Sequence, residues 1–110
     1  MSPCRAPLVV CAAPDRETLR RLKMAAAGAT WELSSGATSA TGAMQQLEDH
    51  HAVALVVHEP VPGLVRGARE RFPGLRIVVV GTTSEGADVV VASTEEVRAA
   101  ILGPDGAARP

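Results

Sequence analysis

Residues that can do chemistry stand at the ends of two apolar runs. Residues 54–57 lead directly into His58 and Glu59, and the run 8–12 holds Cys11 next to its last residue. If both runs are parallel strands, their carboxyl ends meet at the sheet edge where α/β proteins bind ligands. An imidazole, a carboxylate and a thiol at that edge offer a general base, a metal ligand or a phosphoryl acceptor.

Cys11 is the first candidate nucleophile. Residues 9–13 resemble the strand that carries the phosphorylated cysteine of sugar-phosphotransferase IIB proteins. In those proteins, glycine and small hydroxyl residues follow and cradle the phosphate through backbone N–H groups. Here Pro14 removes a donor, and the carboxylates of Asp15 and Glu17 repel an anion. We therefore expect Cys11 to fill a small, semi-buried volume, with a phosphoryl carrier using Cys11 as the alternative.

His58 beside Glu59 is the second candidate. If the first and third strands are neighbours, His58 lies near Cys11, but two ligands are an incomplete set for a structural Zn²⁺ site, which takes about four. His50 and His51 precede the third strand, at its opposite end, and cannot complete the set. We therefore expect a hydrogen-bonded histidine at a strand terminus, with no metal site and no cofactor.

Composition restricts the function classes. The chain of 110 residues suffices for one domain. Hydrophobic residues make up 46% of it but aromatic residues only 2%, so the core must consist of Val, Leu, Ile and Ala, as in a parallel sheet buried on both faces. Eleven basic residues nearly balance twelve acidic ones, and aromatic rings are too few for a stacking platform. We therefore expect no direct nucleic-acid binding.

The two ends of the chain differ in composition from its middle. Residues 1–6 predict a disordered lead-in, residues 7–102 the folded domain, and the Gly/Ala/Pro-rich residues 103–110 a linker or tail. The apolar stretch 8–13 is too short for a signal peptide or a membrane span. Since no C-x-x-C pattern is present either, a reduced, cytoplasmic setting is expected.

Five apolar runs predict the strands, and helical patterns separate them. The runs are residues 8–12, 30–33, 52–57, 75–80 and 88–92. The third and fourth are nearly continuous Val, Ile and Leu, as central parallel strands require, whereas the second alternates and suits an edge strand. This alternation of strands and helices predicts right-handed crossovers and a three-layer sandwich.

Capping residues and apolar spacing predict four helices. Asp15 is expected to cap the first helix, Thr38 or Ser39 the second, and a capping box of Ser93 and Glu96 the last. The inward-facing stripes are Leu19, Leu22 and Ala26, then Ala40, Ala43, Met44 and Leu47, then Val61, Leu64, Val65, Ala68 and Phe72, and finally Val97, Ala100 and Ile101. The third helix has Pro62 near its first turn, and the predicted stops are Gly28, Pro73 with Gly74, and Gly103 with Pro104.

The link between the fourth and fifth strands is unusually short. Only residues 82–87 separate them, whereas a parallel crossover normally takes a dozen residues or more. A six-residue link reaches about 20 Å, just enough to return along a short strand. A fourth helix is therefore missing or reduced to a turn, and we favour a stretched parallel return over an antiparallel fifth strand.

Residues 8–102 resemble the receiver (CheY-like) domains of bacterial response regulators. Residues 8–15 are similar to the opening strand of that family and its following Pro-Asp, residues 69–80 to its third helix and fourth strand, and residues 86–88 to the Gly-Ala-Asp before its fifth strand. The resemblance implies a flavodoxin-like α/β sandwich with strand order 2-1-3-4-5.

The residues that carry receiver chemistry are replaced. The resemblance places the paired Mg²⁺-binding acids at Cys11 and Ala12, the phosphoacceptor aspartate at His58, the hydroxyl at Thr82 or Thr83, and the lysine at Ala92, with Ser93 in place of the proline beside it. Mg²⁺ needs hard oxygen ligands, which a thiol, a methyl group and an imidazole do not supply. Without cation and lysine, nothing neutralises a transferring phosphoryl group. The resemblance therefore implies a degenerate pseudo-receiver that is not an enzyme.

The function that follows is regulatory. We expect a phosphorylation-independent interaction module in bacterial signalling, transcription or localisation control, with another protein, a further domain of the same chain or a second copy as partner. The polar loop of Thr82, Thr83, Ser84 and Glu85 adjoins the partner-binding face of the family and is the expected interaction loop. Besides the Cys11 carrier, a small-ligand sensor in the crevice between the first and third strands remains an alternative.

Overall fold

The computed structural model describes residues 8–27, 31–59, 61, 63–82 and 87–102. Their strands form one five-stranded sheet of order β2-β1-β3-β4-β5. The strands are β1 (Leu8–Ala12), β2 (Glu32–Leu33), β3 (Ala54–His58), β4 (Arg76–Val80) and β5 (Val89–Val91). All four strand pairs are parallel. The predicted order and the parallel return of the fifth strand are both confirmed.

Helices cover both faces of the sheet. They are α1 (Arg16–Ala26), α2 (Ala40–His50), α3 (Leu64–Arg71) and α4 (Val97–Leu102). Leu22 of α1 and Val97 of α4 share one buried cluster with alternate strand residues, while Leu47 of α2 and Leu64 of α3 belong to a second cluster on the opposite face. The chain therefore builds the predicted three-layer sandwich. No helix in the described ranges is long and apolar enough to cross a membrane.

The central strands divide their side chains between the two layers. Val9 and Cys11 of β1 face α1 and α4, whereas Val10 and Ala12 face α2 and α3, and all four are fully buried. Successive strand residues point to opposite faces, so a strand covered on both sides must be apolar throughout. This requirement explains why β1, β3 and β4 consist so largely of Val, Leu, Ile and Ala.

Two predicted helix starts are confirmed by their capping hydrogen bonds. The Asp15 carboxylate accepts the backbone N–H of Thr18 at 2.8 Å, and the Ser39 hydroxyl accepts that of Gly42 at 3.1 Å. The second bond decides between Thr38 and Ser39 in favour of Ser39. Each cap satisfies one of the N–H groups that a helix leaves unpaired in its first turn.

The predicted capping box at the last helix is wrong. Ser93 makes no capping hydrogen bond, and its hydroxyl instead lies 3.4 Å from a carboxylate oxygen of Glu96. Residues Thr94–Glu96 form a 3₁₀ turn, in which the Glu96 N–H donates to the Ser93 carbonyl at 3.2 Å. A capping box would need the Glu96 N–H to donate to the Ser93 hydroxyl, but this N–H already donates to the Ser93 carbonyl. The α-helix α4 therefore begins only at Val97, after the 3₁₀ turn.

Several element boundaries also differ from the prediction. The third strand starts at Ala54 rather than residue 52 and extends to His58, the fourth starts at Arg76, and the fifth spans only Val89–Val91. Of the predicted second strand, only Glu32–Leu33 is a strand among the described residues. Val61 and Phe72 lie outside α3 yet pack against its cluster as partly buried residues. A strand extends only as far as it pairs with the neighbouring strand, and the apolar pattern of one segment does not reveal the extent of that pairing.

Asp88 anchors the short return to β5. Its carboxylate accepts the backbone N–H of Ile77 in β4 and the guanidinium of Arg69 in α3, each at 2.7 Å. Partial burial alone would raise the pKa of Asp88, but these donors outweigh it and hold the pKa below its ordinary value. In the described part of the chain no helix lies between β4 and β5. The predicted stops at Gly28, Gly103 and Pro104, as well as Pro62, lie outside the described residues.

Candidate functional site at the carboxyl edge of the sheet

The carboxyl ends of the strands meet at one edge, as the parallel arrangement requires. Ala13 follows β1, Glu59 follows β3, Gly81 follows β4 and Ala92 follows β5. The β2 side is closed by Ala37, which bridges to Ala12 and donates its N–H to the Cys11 carbonyl at 3.0 Å. The site is therefore built from the first residues after each strand.

The Cys11 thiol is buried inside the sandwich and does not open onto this edge. The residue is fully inaccessible and packs in the layer formed by α1 and α4. Burial raises the pKa of its thiol to about 12, with a smaller opposing effect from Lys23. At neutral pH only about one thiol in a hundred thousand is then a reactive thiolate. Cys11 therefore behaves as an apolar core residue.

The end of β1 carries no pair of acids. Ala12 is fully buried on the α2 and α3 side, and Ala13 after it is buried too. The exposed Asp15 carboxylate is engaged in capping α1, where the Thr18 N–H and hydroxyl hold its pKa below the ordinary value. His58 adds a weaker charge effect that also lowers the pKa of Asp15.

His58 and Glu59 turn the chain away from β3. Nδ1 of His58 lies 2.8 Å from the Glu59 carbonyl oxygen, and since a carbonyl only accepts, this contact requires the tautomer that carries hydrogen on Nδ1. The Glu59 backbone N–H donates to the Val80 carbonyl at 3.1 Å. The ends of β3 and β4 are thus joined one residue beyond the last strand pair.

The Glu59 side chain closes the site across the end of β4. Its Oε1 accepts the backbone N–H of Thr82 at 3.0 Å. Gly81 has φ +150°, and a Cβ built there would lie 2.7 Å from Cδ of Glu59. Only glycine leaves room for the carboxylate against the turn. We call this arrangement of Glu59, Gly81 and Thr82 the Glu59 latch.

The sequence carries one signal for the latch. An acid directly after one central strand and a glycine directly after the next are compatible with a carboxylate resting on a turn. Pairing Glu59 with His58 alone does not predict this contact, and it gives no role to Gly81. Because Glu59 and Thr82 are 23 residues apart, their contact depends on the pairing of β3 with β4.

The remaining predicted site residues are distributed as follows. Thr82 is exposed and takes part in the site through its backbone N–H. Ala92 is exposed directly after β5, while Thr83, Ser84 and Glu85 lie outside the described residues. No group of three or more His, Cys, Asp and Glu side chains that could hold a metal ion occurs among the residues the structure describes.

Comparisons with known proteins give a match by structure only. No protein-family model matches the chain, and neither does any curated protein. The signal receiver domain of an HD domain-containing protein from Pseudomonas fluorescens Pf-5 is similar with TM-score 0.74 and 16% identity, covering 94% of this chain and 95% of that one. A CheY-like receiver domain protein from Methanospirillum hungatei JF-1 gives TM-score 0.71 and 16% identity, covering 87% and 90%.

A third similar structure belongs to a longer protein. The response regulator RcsB in complex with DNA matches with TM-score 0.75 and 14% identity over 94% of this chain, which spans 62% of the RcsB chain. Together with the sheet order and the four helices, these similarities identify the fold as that of CheY-like receiver domains. The predicted fold class is confirmed.

Proposed function

We propose that the protein is a pseudo-receiver: a regulatory module that binds a partner protein without being phosphorylated and is not an enzyme. The observation that carries the proposal is the Glu59 latch. A negative charge of the chain itself rests on the backbone N–H of Thr82, at the edge of the sheet where receiver-like chemistry is expected. Among the described residues of this edge, the Glu59 carboxylate and the Thr82 N–H are therefore engaged with each other.

The groups at the edge argue against metal-assisted phosphoryl transfer. Mg²⁺ requires several hard oxygen ligands, but the end of β1 offers the buried Cys11 and Ala12 and the end of β3 offers His58. The nearby carboxylates of Asp15 and Glu59 are held by hydrogen bonds to Thr18 and Thr82. A phosphoryl group entering beside Glu59 would be repelled by the negative carboxylate, and the Thr82 N–H that could donate to it already donates to Glu59. Ala92 after β5 supplies no cation to compensate.

The alternative of a phosphoryl carrier using Cys11 is disfavoured by burial. A phosphocysteine requires a thiolate that a donor can reach. The Cys11 side chain is fully inaccessible, and its pKa is raised to about 12. Phosphorylation of Cys11 would therefore need the α1 layer to open first.

Because the Glu59 carboxylate already occupies the edge, we propose that the activity of the domain depends on whether its binding partner is present and not on phosphorylation. We propose that the partner is another protein, a further domain of the same chain or a second copy, in a cytoplasmic bacterial signalling setting. The proposed interaction loop is residues 82–85, which precede β5 in the sequence. RcsB, one of the similar proteins, is known in structures of dimers bound to DNA, which is a property of that protein.

The experiment is a phosphorylation assay followed by intact mass measurement. The protein, Cys11→Ser and His58→Ala are incubated with Mg²⁺ and acetyl phosphate at neutral pH, beside an ordinary receiver domain that confirms the donor is active. We expect no phosphoryl adduct on any of the three and no melting shift with Mg²⁺ and beryllofluoride. An adduct that one substitution abolishes would refute the proposal and identify the acceptor.

A further inference from the structure

An open groove runs along the outer side of α1. About 390 Å³ in volume, it lies between the helix and the loop that follows β2, where Ser35 forms its far wall. Three cationic and three apolar side chains of α1 and its C-cap line it, namely Arg16, Arg20 and Lys23 together with Leu19, Met24 and Ala27. We call this surface the α1 groove.

The α1 groove contains an exposed large apolar side chain, Met24, beside the partly buried Leu19. Met24 is 69% exposed, and Val53 is the only other large hydrophobic residue exposed in the described ranges. Arg16, Arg20, Met24 and Ala27 recur three or four residues apart, so they form one stripe along the helix. An unbranched methionine in such a stripe adapts its shape to an apolar partner side chain.

Among the residues the structure describes, none is an acidic partner of the cations of the α1 groove. Arg16 and Arg20 form no ion pair within the described part of the chain, and Lys23 donates to the Ser35 carbonyl at 3.0 Å. On the neighbouring side of the same helix, Arg21 does pair with Glu17, at 3.1 Å. The chain as a whole carries a net charge of −1, so the positive charge here is local to the groove.

We propose that the α1 groove binds an acidic amphipathic helix of a partner protein. The inference rests on the proposed function and deepens it by naming the chemistry of the partner. Leucine-like residues of the partner helix would cover Met24 and Leu19, while its carboxylates would pair with Arg16 and Arg20. The eleven residues of α1 span about 16 Å, which matches about three turns of such a helix.

The test uses two synthetic helical peptides of identical composition and charge. One places its leucines along one face between glutamates, and the other has the same residues scrambled around the helix. Binding to the full 110-residue chain is followed by fluorescence anisotropy at two salt concentrations. The test variant is Arg20→Glu. Its control is Arg21→Glu, which reverses the same charge one residue away at a side chain that pairs with Glu17 outside the α1 groove. Circular dichroism confirms that both variants fold.

We expect the amphipathic peptide to bind more tightly than the scrambled one, and Arg20→Glu to weaken it about tenfold while Arg21→Glu changes it less than about twofold. Met24→Ala should weaken it as well. Equal effects of Arg20→Glu and Arg21→Glu, or equal binding of both peptides, would overturn the inference. If the chain binds phosphatidylserine vesicles but not the peptide, the inference is overturned in favour of a membrane surface as the partner. If the chain self-associates and Met24→Glu abolishes the self-association, the inference is overturned in favour of a second copy as the partner. None of these results alters the phosphorylation assay, so the two proposals fail independently.

Discussion

Gly81→Ala is the sharpest test of the Glu59 latch. Alanine at φ +150° adopts a strained backbone, which costs about 1–2 kcal/mol. Its Cβ would also lie 2.7 Å from Cδ of Glu59, so the carboxylate must leave the Thr82 N–H. Losing a charge-assisted hydrogen bond at this exposed turn, where solvent screens the charge, adds about 0.5–1 kcal/mol. We therefore expect the free energy of unfolding to fall by about 1.5–3 kcal/mol.

A double-mutant cycle separates the two contributions. In a Glu59→Ala background the carboxylate is absent, so Gly81→Ala should cost only the backbone term of about 1–2 kcal/mol. Glu59→Gln is the control, because glutamine has nearly the same size and meets the new Cβ as glutamate does. In that background the clash of Gly81→Ala should persist.

Urea unfolding followed by tryptophan fluorescence provides the assay. Trp31 is the only tryptophan in the chain, and it is buried with its Nε1–H donating to the Ala26 carbonyl at 2.7 Å. Its emission therefore reports the packing of α1 on the sheet. If Gly81→Ala costs the same free energy in the wild-type and Glu59→Ala backgrounds, within about 0.5 kcal/mol, the carboxylate does not rest on this turn and the latch is refuted.

Three further outcomes are expected. In a Cys4→Ser background, Cys11 should react with iodoacetamide at least about a thousandfold more slowly in the folded protein than in urea, because burial raises its pKa to about 12. Fast labelling of Cys11 in the folded protein would contradict its burial. The pKa of Asp88 is lowered in the fold, so its stabilisation is present above its unfolded pKa and lost as pH falls through the folded one. Asp88→Asn should thus cost up to about 1 kcal/mol at pH 7 by urea unfolding, and progressively less as the pH is lowered through the acid range. A cost that does not change with pH would show that charge is not involved. Leu22 is buried, so Leu22→Ala should lower the free energy of unfolding by about 2–5 kcal/mol. Met24 is exposed, so Met24→Ala should change it by less than about 0.5 kcal/mol. Similar values for the two variants would contradict the assignment of Leu22 to the buried face of α1.

The chain by itself determined the architecture, for a physical reason that acts locally. The runs around Val10, Val56 and Val78 are apolar on both faces, and only a sheet covered on both sides accommodates them. Asp15 and Ser39 cap helices through contacts three residues away, so their roles are visible in the sequence. The short link before β5 likewise predicted that its helix would be missing or reduced to a turn and favoured a parallel return of β5, and the parallel pairing of β4 with β5 is confirmed.

Only the tertiary structure decided what occupies the carboxyl edge. The contact of Glu59 with Thr82 exists because β3 and β4 pair in one register, and no spacing along the chain encodes that pairing. The sequence predicts a semi-buried Cys11, but its complete burial depends on its place in β1 beneath α1, which only the packed helix layer provides. Local patterns set which segments become helices and strands, whereas the charge and accessibility of the edge arise from strands brought together across long separations.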